Sequence, residues 1–198
     1  MRIYDISQEV FSSQVYPGDP APKRETLASF AANDLYHLTA FSMCAHNGTH
    51  IDAPFHFIRD GKTVEALPLT QTVGDAYVAH HAGDVTAEDA DRILSKARDA
   101  GACERILLKG DLTVTENAAR RFRDAGVLLL GNESQTVGPK EAPMAVHLIL
   151  LSAGVVLLEG IRLSDVPEGK YLLSAAPLSL AGADGAPCRA FLIAHGDA

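Results

Sequence analysis

The feature that most constrains the fold is an alternation of helical and strand-like patterns in the second half of the chain. Residues 86–101, TAEDADRILSKARDAG, place apolar residues on one helical face, with Thr86 as a predicted N-cap and Asp89 three residues later. The helical pattern recurs at 115–126 and 142–154, and short apolar runs lie at 105–110, 127–131 and 155–160. Strands separated by helices of this length predict right-handed crossovers and a parallel sheet.

The two ends of the chain show strand-like patterns without intervening helices. Residues 2–7 and 36–46 are each predicted to form a strand, and residues 177–194 are predicted to form two strands joined by a Gly/Asp turn, as an antiparallel hairpin. No internal repeat or Pro/Gly/Ser-rich linker divides the sequence. We therefore expect one α/β domain spanning residues 1–198, with a mixed, partly barrel-like sheet and crossover helices, of the swivelling β/β/α type.

Charge and cysteine content argue against several kinds of partner. The net charge is −8, with acidic and basic residues interspersed, so the attraction that non-specific binding to nucleic acid or to an anionic membrane needs is missing. A small-molecule partner is expected instead. The three cysteines Cys44, Cys103 and Cys188 form no C-x-x-C pair, which argues against a disulfide framework and a thiolate zinc site. With no signal-peptide pattern and no apolar run of membrane-spanning length, we expect a cytoplasmic protein.

A dense group of metal-ligand residue types lies in residues 46–57, HNGTHIDAPFHF. On a straight strand four side chains of one parity would face the same side, namely those of His46, His50, Asp52 and His56. At about 3.3 Å per residue, the Cα atoms of His46 and Asp52 would then lie roughly 20 Å apart. Because zinc–ligand bonds are about 2 Å long, these two side chains could not share one ion on a straight strand.

A continuous helix does not suit this segment either, because Gly48 weakens a helix and Pro54 disrupts one. A bent segment remains, in which Gly48 adopts an unusual backbone angle, Pro54 fixes the exit, and the side chains curl around a common point. Two imidazoles and a carboxylate on such a bend suit a divalent transition metal, most simply zinc.

Two residues further along the chain are candidates for the same site. His147 lies in the predicted helix APMAVHLILLSAG, where an imidazole without a partner would be costly to bury. Glu159 ends the predicted strand VVLLEG, and ligands of α/β sheets gather at the carboxyl ends of parallel strands. Judged alone, His147 also fits a core histidine bonded to backbone, and Glu159 also fits an exposed carboxylate at a strand end.

The motif H-x-G-T-H-x-D-x-P-x-H in residues 46–56 resembles the hallmark of the putative cyclase family of metal-dependent amide hydrolases, which includes bacterial kynurenine formamidase. Every fixed position of that motif is matched. Three other segments resemble motifs of the same family: YPGDP at 16–20, GNESQTVGP at 131–139 and HLILLSAGVVLLEGI at 147–161. The resemblance therefore extends along nearly the whole chain.

The resemblance implies a role for each residue singled out above. The ligands of one metal would be His46, His50 and Asp52, with Asp52 and Glu159 shared or bridging and His147 completing a second metal position. His56 would be the catalytic general acid/base. The resemblance also implies zinc, as one or two ions, with manganese in some members. It further implies a homo-oligomer, a dimer or higher, in which the neighbouring subunit helps to enclose the pocket.

The predicted substrate-binding wall departs from the family pattern. Kynurenine formamidases have a tryptophan before P-G-D that packs against the aryl substrate, whereas this chain has Tyr16 and no tryptophan. A tyrosine ring can also stack on an aromatic ring. The resemblance therefore predicts an arylformamidase for an N-formylkynurenine-like substrate. Hydrolysis of a cyclic amide such as an isatin-like lactam, or of another small amide, is the alternative.

The expected reaction is hydrolysis of a C–N amide bond other than a peptide bond. The metal would lower the pKa of a bound water towards about 7 and polarise the carbonyl, while His56 would transfer protons. A serine hydrolase is disfavoured because the sequence has no G-x-S-x-G elbow. The alternative from a different class is a metal-binding protein without catalytic activity, but His56 adds an acid/base group beyond the ligand set.

Overall fold

The computed structural model describes residues 1–194, which form an α/β fold around one curled, mixed sheet. Its strands are β1 (Arg2–Asp5), β2 (Lys23–Ala28), β3 (Leu38–Ser42), β4 (His50–Asp52), β5 (Val73–His80), β6 (Gly83–Val85), β7 (Arg105–Lys109), β8 (Leu112–Val114), β9 (Leu129–Asn132), β10 (Val156–Glu159), β11 (Gly169–Ser174), β12 (Gly185–Pro187) and β13 (Phe191–Ala194). Its helices are α1 (Leu69–Thr72), α2 (Ala87–Asp99), α3 (Glu116–Asp124) and α4 (Met144–Leu151). The main sheet has the order β1-β13-β11-β5-β7-β9-β10-β4-β12.

The centre of the sheet is the parallel part that the alternating pattern predicts. Strands β5, β7, β9 and β10 pair in parallel, and α2, α3 and α4 lie in the connections between them. The predicted N-caps are also observed. The Thr86 hydroxyl accepts from the Asp89 amide while the Asp89 carboxylate accepts from the Thr86 amide, and Thr115 caps α3. These reciprocal bonds satisfy amides that the first helical turn cannot pair internally.

The parallel strands are buried on both faces, as their uninterrupted apolar sequences predict. In β7, Ile106 and Leu108 belong to the core cluster beneath the helices, whereas Leu107 belongs to the cluster on the concave side of the sheet. All three side chains have no exposed area. The helices therefore cover one face of the sheet, and the curl of the sheet itself covers the other.

The curl follows from a short connection between two distant strands. Strand β13 is second in the sheet order and β12 is ninth, so in a flat sheet they would lie seven strand spacings apart, roughly 34 Å at about 4.8 Å each. Only residues 188–190 connect them, and the four Cα–Cα steps from Pro187 to Phe191 span at most roughly 14 Å. The sheet must therefore bend towards a barrel, which confirms the partly barrel-like prediction.

The predicted antiparallel hairpin in residues 177–194 is wrong. Strand β12 pairs with β4, whereas β13 pairs with β1 and β11. Within residues 177–194, an isolated bridge pairs Pro177 with Cys188. An isolated hairpin of such short strands is marginally stable. Pairing with the edges of a formed sheet instead satisfies their backbone groups. The turn before β12 consequently lies beside the histidine group rather than at the tip of a hairpin.

The first half of the chain contains more strands than the sequence patterns indicated. The strand predicted at 36–46 is confined to Leu38–Ser42 and pairs with the unpredicted strand Lys23–Ala28. We call this two-stranded hairpin, residues 23–42, the arm. Strands β5 and β11, also unpredicted, complete the middle of the main sheet. Among the described residues, no helix has both the length and the hydropathy to cross a membrane.

Candidate metal centre and active site

The segment that carries the histidine motif is bent, as predicted. Gly48 has φ +65°, in the left-handed region that favours glycine, and a Cβ at this position would lie 2.8 Å from the Ser13 Cβ. Strand β4 begins two residues later, and Pro54 opens a 3-10 turn, Pro54–His56. The bend brings together side chains that a straight strand would spread over roughly 20 Å.

Strand pairing brings the second predicted acidic residue to the same place. In the antiparallel register of β10 with β4, Glu159 lies opposite His50 and Leu157 lies opposite Asp52. Because alternate residues of a strand share a face, His50, Asp52 and Glu159 all point away from the concave core that contains Ile51. Helix α4 packs on that same face of the sheet and supplies His147.

These four side chains form a buried centre. His50, Asp52, His147 and Glu159 are each at most 3% exposed. His50 Nε2 lies 3.2 Å from Asp52 Oδ1 and 3.7 Å from Glu159 Oε2. His147 Nε2 lies 3.3 Å from Glu159 Oε1 and 3.7 Å from Asp52 Oδ2. Each carboxylate therefore faces both imidazoles, which is the arrangement that shared or bridging carboxylates need.

Hydrogen bonds behind this centre fix which ring nitrogen faces inward. His50 Nδ1 donates to the Gly48 carbonyl at 3.0 Å, and His147 Nδ1 donates to the Pro143 carbonyl at 2.9 Å. Both Nε2 atoms thereby face the carboxylates, and in the neutral imidazole they carry the lone pair that a metal ion would take up, because a neutral imidazole carries one N–H. The Val137 amide donates to Glu159 Oε1 at 2.8 Å and orients that carboxylate as well.

The buried charges shift one another's pKa values. Burial favours the neutral form of Asp52, but hydrogen bonds from His46 and His50 outweigh it and hold the pKa of Asp52 well below its ordinary value. Burial opposes protonation of His46, but Asp52 and then Asp184 outweigh it and raise the pKa of His46 to about 10. In the same way, burial opposes protonation of His147, but Glu159 and Asp52 outweigh it and raise the pKa of His147. The site thus favours positive charge at its centre.

The third and fourth histidines lie on the more open side of the site. His46 Nδ1 lies 2.8 Å from Asp52 Oδ1, and the rings of His46 and His56 are 4.1 Å apart between centroids. The His56 side chain is 28% exposed. A ligand in solution can therefore reach His56, whereas the four buried side chains of the centre are not accessible in this way. His56 also contacts Phe57 edge to face, with ring centroids 4.6 Å apart.

Asp184 is a site residue that the sequence patterns did not single out. Its Oδ2 atom lies 2.9 Å from His46 Nε2 and 3.0 Å from His56 Nδ1. The segment AGADGAP indicated only a turn, because glycine and alanine around an aspartate are typical of exposed loops. The one available signal was an acidic residue directly before a predicted strand, and it does not point to any particular partner.

Tyr16 lies at the edge of this region, between two segments of the site. Its hydroxyl donates to the Lys140 carbonyl at 3.3 Å, in the loop that leads into α4. Two residues earlier, the Gln14 carbonyl accepts from the Gly48 amide. Tyr16 is half-buried, so part of the residue remains in contact with solvent.

The donor atoms present fit a divalent transition metal. The ligand atoms of His50, Asp52 and Glu159 lie within 4.8 Å of one another, and so do those of His46, Asp52 and His56. Imidazole nitrogen and carboxylate oxygen are the donors that zinc and manganese accept in proteins. The two groups overlap at Asp52, so together they offer donors for one ion or for two. The same geometry leaves His56 either a ligand or a group beside the metal.

Comparisons with known proteins identify the family of this chain. Residues 4–139 match a family model described as "Putative cyclase". The chain is 32% identical over 206 aligned positions to "Kynurenine formamidase" of Salinibacter ruber, covering 97% of each chain. It is also 32% identical over 203 positions to "Kynurenine formamidase" of Erythrobacter litoralis, covering 96% of this chain and 93% of that one.

Solved structures share the same fold. A structure described as a potential metal-dependent hydrolase with cyclase activity superposes with a TM-score of 0.81 at 32% identity, covering 96% of each chain. Isatin hydrolase A from Labrenzia aggregata superposes with a TM-score of 0.83 at 21% identity, covering 98% of this chain and 94% of that one, and so shares the fold. By the family model and by full-length relatives above 30% identity, the chain belongs to the cyclase family of metal-dependent hydrolases.

Proposed function

We propose that this chain is a metal-dependent hydrolase of a non-peptide C–N amide bond, most specifically an arylformamidase for an N-formylkynurenine-like substrate. The observation that carries the proposal is the convergence of buried imidazoles and carboxylates next to the more exposed His56. Full-length relatives of this chain are named kynurenine formamidase, which supports an arylformamide as the substrate class. In this proposal residues 1–198 act as a single catalytic domain.

The metal ligands in this proposal are those that the motif implies. His46, His50 and Asp52 would hold one ion, Asp52 and Glu159 would be shared or bridging, and His147 would complete a second metal position. The support is geometric, since each carboxylate faces two of the imidazoles. We assign zinc, as one or two ions, with manganese as the alternative, because both accept mixed nitrogen and oxygen donors.

The chain's own residues divide the remaining work. A divalent ion, when bound, supplies Lewis acidity that lowers the pKa of water and polarises the amide carbonyl. His56 takes a proton from the attacking water and returns it to the leaving nitrogen, as a positioned imidazole can do. Tyr16 provides an aromatic face for the substrate ring. The other site residues are largely buried, which limits access of bulk water to the site.

The test is hydrolysis of N-formylkynurenine by protein stripped of metal and then reloaded with zinc or with manganese, with metal content measured on the same samples. We expect turnover only in the reloaded protein. Tyr16→Ala is expected to raise KM by about 3- to 10-fold with little change in kcat, because ring stacking contributes roughly 0.5–1.5 kcal/mol to binding. Tyr16→Phe keeps the ring, loses the hydrogen bond to Lys140, and is the matched control.

Each other outcome of this experiment has a distinct meaning. Bound metal without turnover of N-formylkynurenine, but with turnover of an isatin-like lactam, would replace the substrate class with a cyclic amide. Bound metal without turnover of any amide would indicate a metal-binding protein without catalytic activity. Protein that binds no metal after reloading would contradict the proposed function altogether.

We also assign this protein to a homo-oligomer, a dimer or higher, in the cytoplasm, with the arm as the contact surface. Large apolar side chains on and beside the arm are exposed, namely Phe11, Leu27, Phe30, Leu35, Tyr36, Leu38 and Phe41. A cluster of this kind is unusual on a monomer surface, and a second copy would cover it. Sedimentation equilibrium should show the oligomer at micromolar concentration and a shift towards monomer for Phe30→Asp. A wild-type monomer at all concentrations would contradict the assignment.

A further inference from the structure

One carboxylate oxygen joins the proposed acid/base to a proposed metal ligand. Asp184 Oδ2 lies 2.9 Å from His46 Nε2 and 3.0 Å from His56 Nδ1. The two imidazole rings lie against each other, with centroids 4.1 Å apart and planes inclined at 32°. Two N–H groups can share one oxygen, because a carboxylate oxygen has two lone pairs. Asp184 is thus placed to orient both rings at once.

The backbone around Asp184 is held in place independently of the histidines. The Asp184 carbonyl accepts from the Ala53 amide at 2.9 Å, and the Gly182 amide donates to Glu65 Oε1 at 2.9 Å. Strand β12 begins at the next residue and pairs with β4. Since both sides of the turn are anchored, the backbone from which the Asp184 carboxylate reaches the two rings is held in place.

The residue after Asp184 also shapes the position of the His46 ring. A Cβ on Gly185 would lie 2.7 Å from His46 Cε1 and 2.7 Å from the Ile51 carbonyl oxygen. The imidazole therefore packs directly on the glycine backbone, and any side chain there would displace the ring. Asp184 and Gly185 together set the distance of His46 from the sheet.

These contacts determine which nitrogen of each ring is available for chemistry. A neutral imidazole has one N–H, and an acceptor at one nitrogen keeps the hydrogen there. With Nδ1–H of His56 donated to Asp184, Nε2 is the nitrogen left to accept a proton. With Nε2–H of His46 donated to the same oxygen, Nδ1 is the atom that faces Asp52, 2.8 Å away, and that would bind a metal in place of its hydrogen. Outer carboxylates commonly orient metal-binding histidines in this way.

We propose that Asp184 is a positioning residue that fixes the orientation and the Nδ1–H tautomer of His56 while holding His46 in its ligand orientation. As a role in catalysis, this inference rests on the proposed function. Asp184 does not touch the substrate in this scheme. It acts through His56, so its loss is expected to reduce the rate of the chemical step more than the binding of substrate or metal.

The test compares Asp184→Ala with the wild-type protein in two independent measurements. Long-range ¹H–¹⁵N NMR spectra of the zinc-loaded protein, recorded at about pH 8 where free imidazole is neutral, report which nitrogen of His56 carries the hydrogen. We expect the Nδ1–H form in the wild type and a mixture, or the Nε2–H form, in Asp184→Ala. In the same variant, kcat should fall by about 10- to 100-fold, with KM changed by less than about 3-fold and zinc content retained.

Glu65→Gln is the matched control, because Glu65 anchors the same turn through Gly182 but contacts neither histidine. It should leave the tautomer and kcat unchanged. An unchanged His56 tautomer and kcat in Asp184→Ala would overturn the inference, and a rate loss fully explained by loss of zinc would overturn the role at His56. If the wild type hydrolyses no amide, the proposed function fails, yet the NMR measurement still decides whether Asp184 sets the tautomer.

Discussion

Replacing Asp52 with asparagine is expected to abolish stoichiometric metal binding and to reduce hydrolysis to the level of metal-free protein. The Asp52 carboxylate lies close to three of the proposed ligands: its oxygens are 2.8 Å from His46, 3.2 Å from His50 and 3.7 Å from His147. An amide keeps the shape but loses the charge and a strong oxygen donor. Metal content after reloading and kcat on the same samples measure the effect.

Asp60→Asn is the matched control for that experiment, because Asp60 is an exposed acid in the turn that follows the same motif. It should bind metal and turn over substrate like the wild type. Normal metal content in Asp52→Asn would contradict the assignment of Asp52 as a shared ligand. Metal loss in both variants would instead indicate that the overall negative charge of the protein, rather than the defined site, holds the ion.

Asp52 also governs the stability of the metal-free protein, with a definite dependence on pH. The folded pKa of Asp52 is depressed, so its stabilisation is present above about pH 4, its unfolded value, and is lost as pH falls through the folded pKa. The folded pKa of His46 is raised to about 10, so its contribution is complete below about pH 6.5 and is lost as pH rises through about 10. Urea denaturation should therefore show the largest difference between wild type and Asp52→Asn between about pH 4 and 6.5. A difference that grows towards pH 10 would contradict this interaction.

Replacing His56 with alanine is expected to lower kcat by about 10²- to 10⁴-fold, the usual contribution of a positioned acid/base group, with metal content unchanged. The reason is its place in the structure. His56 is the most exposed of the four histidines that lie against Asp52 or Asp184, and Asp184 accepts from its Nδ1. The remaining ligands lie deeper and do not need it to remain assembled.

The His56→Ala experiment also decides between the two roles that the geometry leaves to this residue, since its ligand atom lies within reach of those of His46 and Asp52. Loss of metal together with rate would make His56 a ligand and would contradict the acid/base assignment. His80→Ala, which removes an exposed histidine outside the cluster, should change neither quantity. Unchanged kcat in His56→Ala would exclude His56 from the chemistry.

Features with a local physical cause could be predicted from the sequence. The capping box of Thr86 and Asp89 depends on residues three apart, and it is present as predicted. The bend at Gly48 follows from a residue that tolerates positive φ. The parallel core follows from alternating helices and apolar strands, because the crossover rule leaves few other arrangements.

Features that depend on pairing between distant segments could not be predicted in this way. The hairpin expected in residues 177–194 satisfies every local rule, yet its two strands pair with opposite ends of the sheet. Nothing in AGADGAP indicates that Asp184 would contact His46 and His56, which lie 138 and 128 residues away in the sequence. His147 and Glu159 were tied to the site by resemblance, because periodicity alone also allowed a core histidine and a strand-end acid.

The residue types of the site, the bend that gathers them and the α/β class of the fold could all be read from the sequence. Which residues complete the site depends on long-range pairing: the register of β10 on β4 places Glu159 opposite His50, and the closure of the sheet brings Asp184 to His56. This difference arises because local propensities act over a few residues. Register and curvature instead minimise unpaired edges and exposed apolar area over the whole sheet.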